Sequence, residues 1–258
     1  MKFEFENGQP DAVTGARALT LSSTAKLLDD IIEQCGGKRL LFDLDSTLLD
    51  NRPRNAVIMR EFAQEYSQPL LSNACADDFP TWSAEDTMAS LGLSENQILQ
   101  VKQPYFDYWL ERFFTSEYCK HDIEVAGASR FVNDVVQADG IVTYLTGRNE
   151  TMRPGTHQSL LSHGFPEPGV GSVELRMKPK AEDSDDVFKQ KTLEALAQKE
   201  SIIAAFDNEP MHINSYRRVF PDACCVHLHT DHSMREVRLL EGVLSIRDFQ
   251  RRLLDAAK

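Results

Sequence analysis

What this 258-residue sequence lacks narrows what it can be. No apolar run reaches the roughly 18 residues of a membrane-spanning helix. The opening MKFEFENGQPDA is acidic and polar, so no signal peptide is expected. Cysteine is sparse: Cys35, Cys75, Cys119, Cys224 and Cys225 are widely spaced and form no C-x-x-C pair, which excludes the usual zinc and dithiol signatures. Free thiols imply a reducing, cytoplasmic compartment. Positive charge is short, with 28 Lys and Arg against 40 Asp and Glu and a net charge of -12. That balance argues against a general affinity for nucleic acid or anionic membrane, while leaving room for a local basic pocket. Repeats and low-complexity tracts are absent.

The sequence otherwise has an ordinary globular composition, 41% hydrophobic and 26% charged. A short strand is possible over Lys2 to Glu6. SSTAKLLDDIIEQCGG predicts a helix, capped near Ser22 or Ser23 and stopped by Gly36-Gly37. RLLFDLDSTLLD follows, an apolar strand interrupted at its end by Asp43 and Asp45. From Asn51 to about Cys119 strand signals are scarce and helical spacing prevails. Ser83-x-x-Asp86 and Ser94-x-x-Gln97 have the form of capping boxes, and Pro104 is expected to break or kink the last helix. The aromatic run Tyr105, Phe106, Tyr108, Trp109, Phe113 and Phe114 reads as the packed interior of this helical segment.

From Gly127 onward, helices alternate with the strands IVTYLTGR, SVELRM, SIIAAFDNEP and ACCVHLHT, and two further helices are expected to close the chain. This alternation predicts parallel strands joined by right-handed crossovers, an α/β three-layer sandwich around a central parallel sheet. The expected division is a core of residues 1–50 and 126–258 with a helical insert at 51–125.

In open parallel sheets, ligands bind beyond the carboxyl ends of the strands. Those ends carry Asp43 and Asp45, then Thr146-Gly147-Arg148, then Met177-Lys178, then Asp207-Asn208-Glu209. An acid at one strand end is commonly a turn cap. Three carboxylates on one rim repel one another unless a cation lies among them. Hard oxygen donors of this kind suit Mg²⁺, which completes its shell with waters and substrate phosphate.

FDLDSTLL, YLTGR and AFDNEP resemble, in order and spacing, motifs I, II and IV of the haloacid dehalogenase superfamily, over roughly residues 39 to 230. The resemblance implies a Rossmann-like core with a helical cap after the first core strand. It implies Asp43 as a nucleophile that becomes an aspartyl-phosphate, and Asp45 as general acid and base. It places phosphate on the Thr146 hydroxyl and the Gly147 N–H. Mg²⁺ would be held by Asp43, the Asp45 carbonyl and Asp207, with Asn208 or Glu209 in support. An acid at position 45 favours phosphate over halide, because a departing alkoxide needs a proton. The motif III lysine is open among Lys178, Lys180, Lys189 and Lys191, with Lys189 favoured by its place at the start of the helix before motif IV.

Arg148 is a candidate phosphate or substrate contact, with a salt bridge as the plain alternative; Arg153 and His157 are weaker candidates. His227, His229 and His232 lack an acid or cysteine to complete a metal set and read as structural. Arg52 and Arg54 follow motif I at the expected hinge and are candidate specificity residues by that position. The resemblance thus implies a Mg²⁺-dependent phosphatase acting on a small phosphomonoester beneath a cap. The alternatives are a phosphatase of nucleotides or nucleic-acid ends, or an inactive binding protein that kept the fold.

Overall fold

The computed structural model describes residues 3–233 and 235–251. Among the described residues, eight strands and eight α-helices follow one another. They are α1 (Leu21–Gln34), β1 (Arg39–Phe42), β2 (Leu49–Asp50), α2 (Arg52–Glu65), α3 (Ala84–Ser90), α4 (Glu95–Phe113), β3 (Ile123–Glu124), α5 (Ala128–Gln137), β4 (Ile141–Asn149), α6 (Arg153–Ser162), β5 (Val173–Lys178), α7 (Asp185–Ala197), β6 (Ile202–Asp207), α8 (Pro210–Val219), β7 (Cys224–Leu228) and β8 (Leu244–Ile246).

Six strands form one parallel sheet in the order β5-β4-β1-β6-β7-β8. β1 lies inside the sheet because both its faces are apolar: Leu40, Leu41 and Phe42 are fully buried. Side chains alternate between faces along a strand. Leu40 and Phe42 join α1 and α5 through Leu28, Ile31, Phe131 and Val135. Leu41 joins α7 and α8 through Leu193, Leu196, Ile213 and Tyr216. These two apolar clusters are the interfaces of a three-layer sandwich, as the alternating pattern predicts. Phe42 and Phe206 stack across β1 and β6 with ring centroids 4.9 Å apart. Gly127 begins α5 with φ of 79°, and a side chain there would run into the Phe249 carbonyl.

Strand order reverses beside β1, since the chain crosses to β4 and β5 on one side and to β6, β7 and β8 on the other. A crevice forms at such a point. β2 and β3 pair antiparallel, Leu49 with Glu124 and Asp50 with Ile123, and bring together the two ends of the intervening helical segment. That segment has an apolar cluster of its own, in which Phe62 packs against Tyr66, Tyr105 and Tyr108.

Several local expectations change. α1 is capped by Thr20, whose side chain accepts from the Ser23 N–H, because Ser23 is buried and accepts from the Glu4 N–H. Of the proposed N-terminal strand, Lys2 lies outside the described residues, and Phe5 makes a single bridge to Leu19. α4 runs through Pro104 without a break. Ser83 and Ser94 cap α3 and α4 as expected. The two closing helices are not found among described residues 229–251. The Asn214 side chain donates to the Arg238 carbonyl and accepts from the Leu240 N–H, and the Leu239 N–H donates to the Thr14 carbonyl. These bonds take backbone groups a helix would use, and Leu244–Ile246 then adds a sixth strand.

Candidate active site

β1 and β6 pair in register, Phe42 beside Phe206, so the next residues, Asp43 and Asp207, emerge together. α7 lays Lys189 between them. Its Nζ lies 2.7 Å from Asp43 Oδ1 and 2.8 Å from Asp207 Oδ2, and all three residues are buried. The geometry separates the candidate lysines: Lys178 pairs with Asp185 at 2.7 Å, whereas Lys180 and Lys191 face solvent. A lysine eleven residues beyond the end of β5 reaches the β1–β6 junction because α7 packs against that face of the sheet.

Burial, reinforced by Asp207 and Asp45, pushes the Asp43 carboxyl up to about 7 against the opposing pull of Lys189. Burial alone would raise Asp207 too, but Lys189 and then His212 hold it well below the usual carboxylate range. Burial disfavours the Lys189 charge, yet Asp207 and Asp43 hold the ammonium well above its ordinary value. His212 was missed from sequence: Nδ1 lies 3.2 Å from Lys189 Nζ, and Nε2 lies 2.8 Å from Asp186. Its placement two residues after Pro210, in the first turn of α8, was the available signal.

Asp45 sits on the other side of the rim. Arg148 Nη2 is 2.6 Å from its Oδ1 and Nε 2.9 Å from its Oδ2, and Asn51 Nδ2 donates to Oδ1 at 3.1 Å. Burial would raise this carboxyl, but Arg148, then Arg54 and Asn51, hold it well below the usual carboxylate range. Arg148 also donates to Asp122 Oδ2 at 2.7 Å. Arg54 Nε donates to Asp122 Oδ1 at 2.8 Å, and its guanidinium lies over the Phe113 ring at 4.6 Å. Arg54, Arg148 and Asp122 are almost completely buried. Asp122 had no sequence signal, since it stands in an unremarkable HDIE before β3. The Arg148 guanidinium is thus occupied by Asp45 and Asp122, the salt-bridge alternative rather than a free phosphate contact.

The Thr146 hydroxyl is buried and accepts from the Arg148 N–H at 3.1 Å. Gly147 lines the cavity, and any side chain on it would strike the Asp185 carboxylate. Asn208 Oδ1 accepts from Thr47 Oγ1 at 3.2 Å, while its Nδ2 donates to the Asp231 carbonyl at 2.6 Å. Thr47, also missed, lies 3.4 Å from Asp43 Oδ2. Glu209 turns to Ser233, accepting from its N–H and hydroxyl.

Other candidates lie apart. Arg153 pairs with Glu150 and His157 lies near Glu167, neither lining the cavity of Asp43. Arg52 is held by Asp50 at 2.7 Å. His227 is buried against Ser245, and His232 bonds to the Ser233 carbonyl.

Among the described residues, no three His, Cys, Asp or Glu side chains converge as a metal set. The donors that do converge are oxygens: the carboxylates of Asp43 and Asp207, with the Asn208 amide oxygen drawn toward them through Thr47. Mg²⁺ needs one or two carboxylates and takes the remainder from water and phosphate. The donor chemistry fits that ion.

Asp43, Asp45, Lys189 and Asp207 face a cavity of about 520 Å³ between the sheet rim and the α2–α4 segment. No family model matches the sequence, and no curated protein matches it. Solved structures share its fold. A candidate phosphatase from Clostridium difficile superposes with a TM-score of 0.50 at 12% identity, covering 78% of this chain and 89% of that one. Protein Tyrosine Kinase A of Mycobacterium tuberculosis gives a TM-score of 0.50 at 13% identity, covering 86% and 96%. A hydrolase of the haloacid dehalogenase superfamily, subfamily IA, from Geobacter sulfurreducens gives 0.47 at 14%, covering 86% and 96%. The first two show a shared fold, a parallel sheet between helical layers. The strand ends of this chain carry the three motifs legible in the sequence.

Proposed function

We propose that this protein is a Mg²⁺-dependent phosphomonoesterase of the haloacid dehalogenase type. The observation that carries the reading is Lys189 bridging Asp43 and Asp207 at adjacent strand ends, 2.7 and 2.8 Å away. A cation fixed between two buried carboxylates suits a site that must receive a dianionic phosphoryl group.

Asp43 attacks phosphorus and displaces the alcohol, which takes a proton from Asp45. Asp45 then removes a proton from water as that water attacks the aspartyl-phosphate, releasing phosphate and restoring Asp43. Arg148 and Arg54 favour the ionised Asp45 needed for the second step; donation in the first requires its carboxyl to leave Arg148 and meet the alcohol. Arg148 is therefore a positioning residue for Asp45. Lys189 offsets charge on the nucleophile and phosphoryl oxygens, and the Gly147 N–H would receive one of them. Mg²⁺, held by Asp43, the Asp45 carbonyl and Asp207 with Asn208 in support, would supply further charge neutralisation on the phosphoryl group.

The segment 51–125 acts as a cap over the core of residues 1–50 and 126–258, excluding water from the cavity. The antiparallel β2–β3 pair supports this reading because both connections between the two parts run through it. A cavity set between the core and this segment favours a small phosphorylated substrate over a nucleic-acid end. The described free cysteines suit a reducing, cytoplasmic setting. The test is release of phosphate from an aryl phosphate with Mg²⁺, using wild type and Asp43→Asn. Loss of turnover in the variant is expected; equal rates overturn the reading.

A further inference from the structure

We infer that the substrate is a phosphomonoester whose alcohol carries one planar aromatic group and no second charged group. This rests on the phosphomonoesterase reading and specifies the alcohol. The sequence reads the aromatic run as interior, and the structure divides it. Tyr105, Tyr108 and Phe113 are buried in the segment's own apolar cluster, with Tyr105 and Phe113 also bordering the cavity, whereas Phe106 and Phe114 line it and remain 51% and 39% exposed. Trp82, 51% exposed, and Trp109 line it as well. Large aromatic side chains left uncovered in a cavity that continues into a polar site form a binding surface.

Trp109 sits at the centre of that surface. Its ring lies nearly parallel to Phe106, at 6.1 Å and 26°, and to Phe113, at 4.6 Å and 25°, with Phe114 edge-on at 5.5 Å. Its Nε1 donates to Asn55 Oδ1 at 2.8 Å, which fixes the indole. The Trp82 Nε1 donates to Asp231 Oδ2 at 2.8 Å. Both indole N–H groups are thus engaged within the protein. A polyol against these rings gains hydroxyl partners only from polar side chains around them, such as Asn55, Thr81 and Ser83, and none from the rings, whereas a flat ring gains stacking area on the rings themselves.

Charge narrows the class further. Every lysine and arginine lining the cavity already has a carboxylate partner. Lys102 pairs with Glu85, Arg235 with Asp186, Arg54 with Asp122, Arg148 with Asp45 and Lys189 with Asp43. A second phosphate or carboxylate on the alcohol would have to compete with the carboxylate of one of these pairs, or break it. A neutral aromatic alcohol breaks none.

The experiment compares kcat/KM for phenethyl phosphate, butyl phosphate, glycerol phosphate and a sugar bisphosphate. All are alkyl esters, so leaving-group basicity does not set the order. Phenethyl phosphate is expected to exceed each of the others by about tenfold or more. Phe106→Ala, at an exposed position whose replacement spares the buried cluster, is expected to shrink that ratio. In parallel, indole fluorescence follows binding of phenethyl phosphonate and butyl phosphonate to Asp43→Asn with Mg²⁺. Hydrolysis with no aromatic preference overturns the inference and leaves the phosphomonoesterase reading standing. An aromatic preference that survives Phe106→Ala unchanged also overturns it, because these rings would not be its source. Tighter phosphonate binding by the aromatic ligand without hydrolysis of any ester keeps the ligand class and removes the enzyme reading. Neither hydrolysis nor discrimination in binding overturns both.

Discussion

Arg148 grips Asp45 with two nitrogens, 2.6 Å from one carboxylate oxygen and 2.9 Å from the other, while Nη2 also donates to Asp122 and Nη1 to the Thr156 hydroxyl. The motif that ends β4 is thereby tied to the motif that ends β1, and through Asp122 to Arg54 at the start of the helical segment. Arg148→Met removes the guanidinium and leaves Asp45 and Asp122 to share Arg54. Removing one partner of a buried charge pair is costly, and a stability loss of about 3 kcal/mol is expected. Urea unfolding of the two proteins measures it. A loss below about 1 kcal/mol, the level of an exposed pair, contradicts the buried network.

Lys189→Met leaves the Asp43 and Asp207 carboxylates buried together without their shared cation. Phosphate release is expected to fall by about 10²- to 10³-fold, the usual cost of losing a fixed electrostatic group in an active site. The variant is also expected to melt lower and to gain more from added Mg²⁺ than wild type, because a bound cation relieves the same repulsion. Thermal melts with and without MgCl₂ check the second outcome. Equal Mg²⁺ shifts in both proteins contradict it.

His227 is fully buried, and burial, with lesser contributions from His229 and His232, pushes its imidazole down to about 3. The unfolded chain takes up a proton near pH 6.5 that the folded protein refuses until near pH 3. The unfolded state binds more protons in that window, so stability is fully present above pH 6.5 and is lost as pH falls through it. The slope attributable to this one proton is about 1.4 kcal/mol per pH unit. His227→Met removes it, and its urea midpoints are expected to depend less on pH between about 6 and 4. Parallel profiles for the two proteins contradict the assignment.

Legibility followed how local each signal is. β1 and its two acids were legible because an apolar run ending in D-x-D is a pattern of adjacent residues. Lys189 was legible as a favoured candidate because the DDVFKQKT stretch begins a helix just before motif IV. Asp122 was not, because its partners Arg54 and Arg148 lie 68 and 26 residues away in sequence and meet it only through the fold. β8 was misread because Leu244–Ile246 follows a stretch with helical composition, and distant partners, the Asn214 side chain and the Thr14 carbonyl, hold that stretch out of a helix. The aromatic run could not be divided into buried and exposed members until the fold packed Tyr105, Tyr108 and Phe113 against the segment's cluster and left Phe106 and Phe114 uncovered.

The most direct test of the central claim is whether phosphate becomes bonded to Asp43. Asp45→Asn slows water attack, and acetyl phosphate supplies a leaving group that needs no proton from position 45. Mixing the two with Mg²⁺, quenching in acid and analysing the peptides by mass spectrometry should show a phosphoryl adduct on Asp43 that hydroxylamine removes. Turnover of acetyl phosphate by the wild-type protein, with no adduct on Asp43 in the variant, would contradict the account.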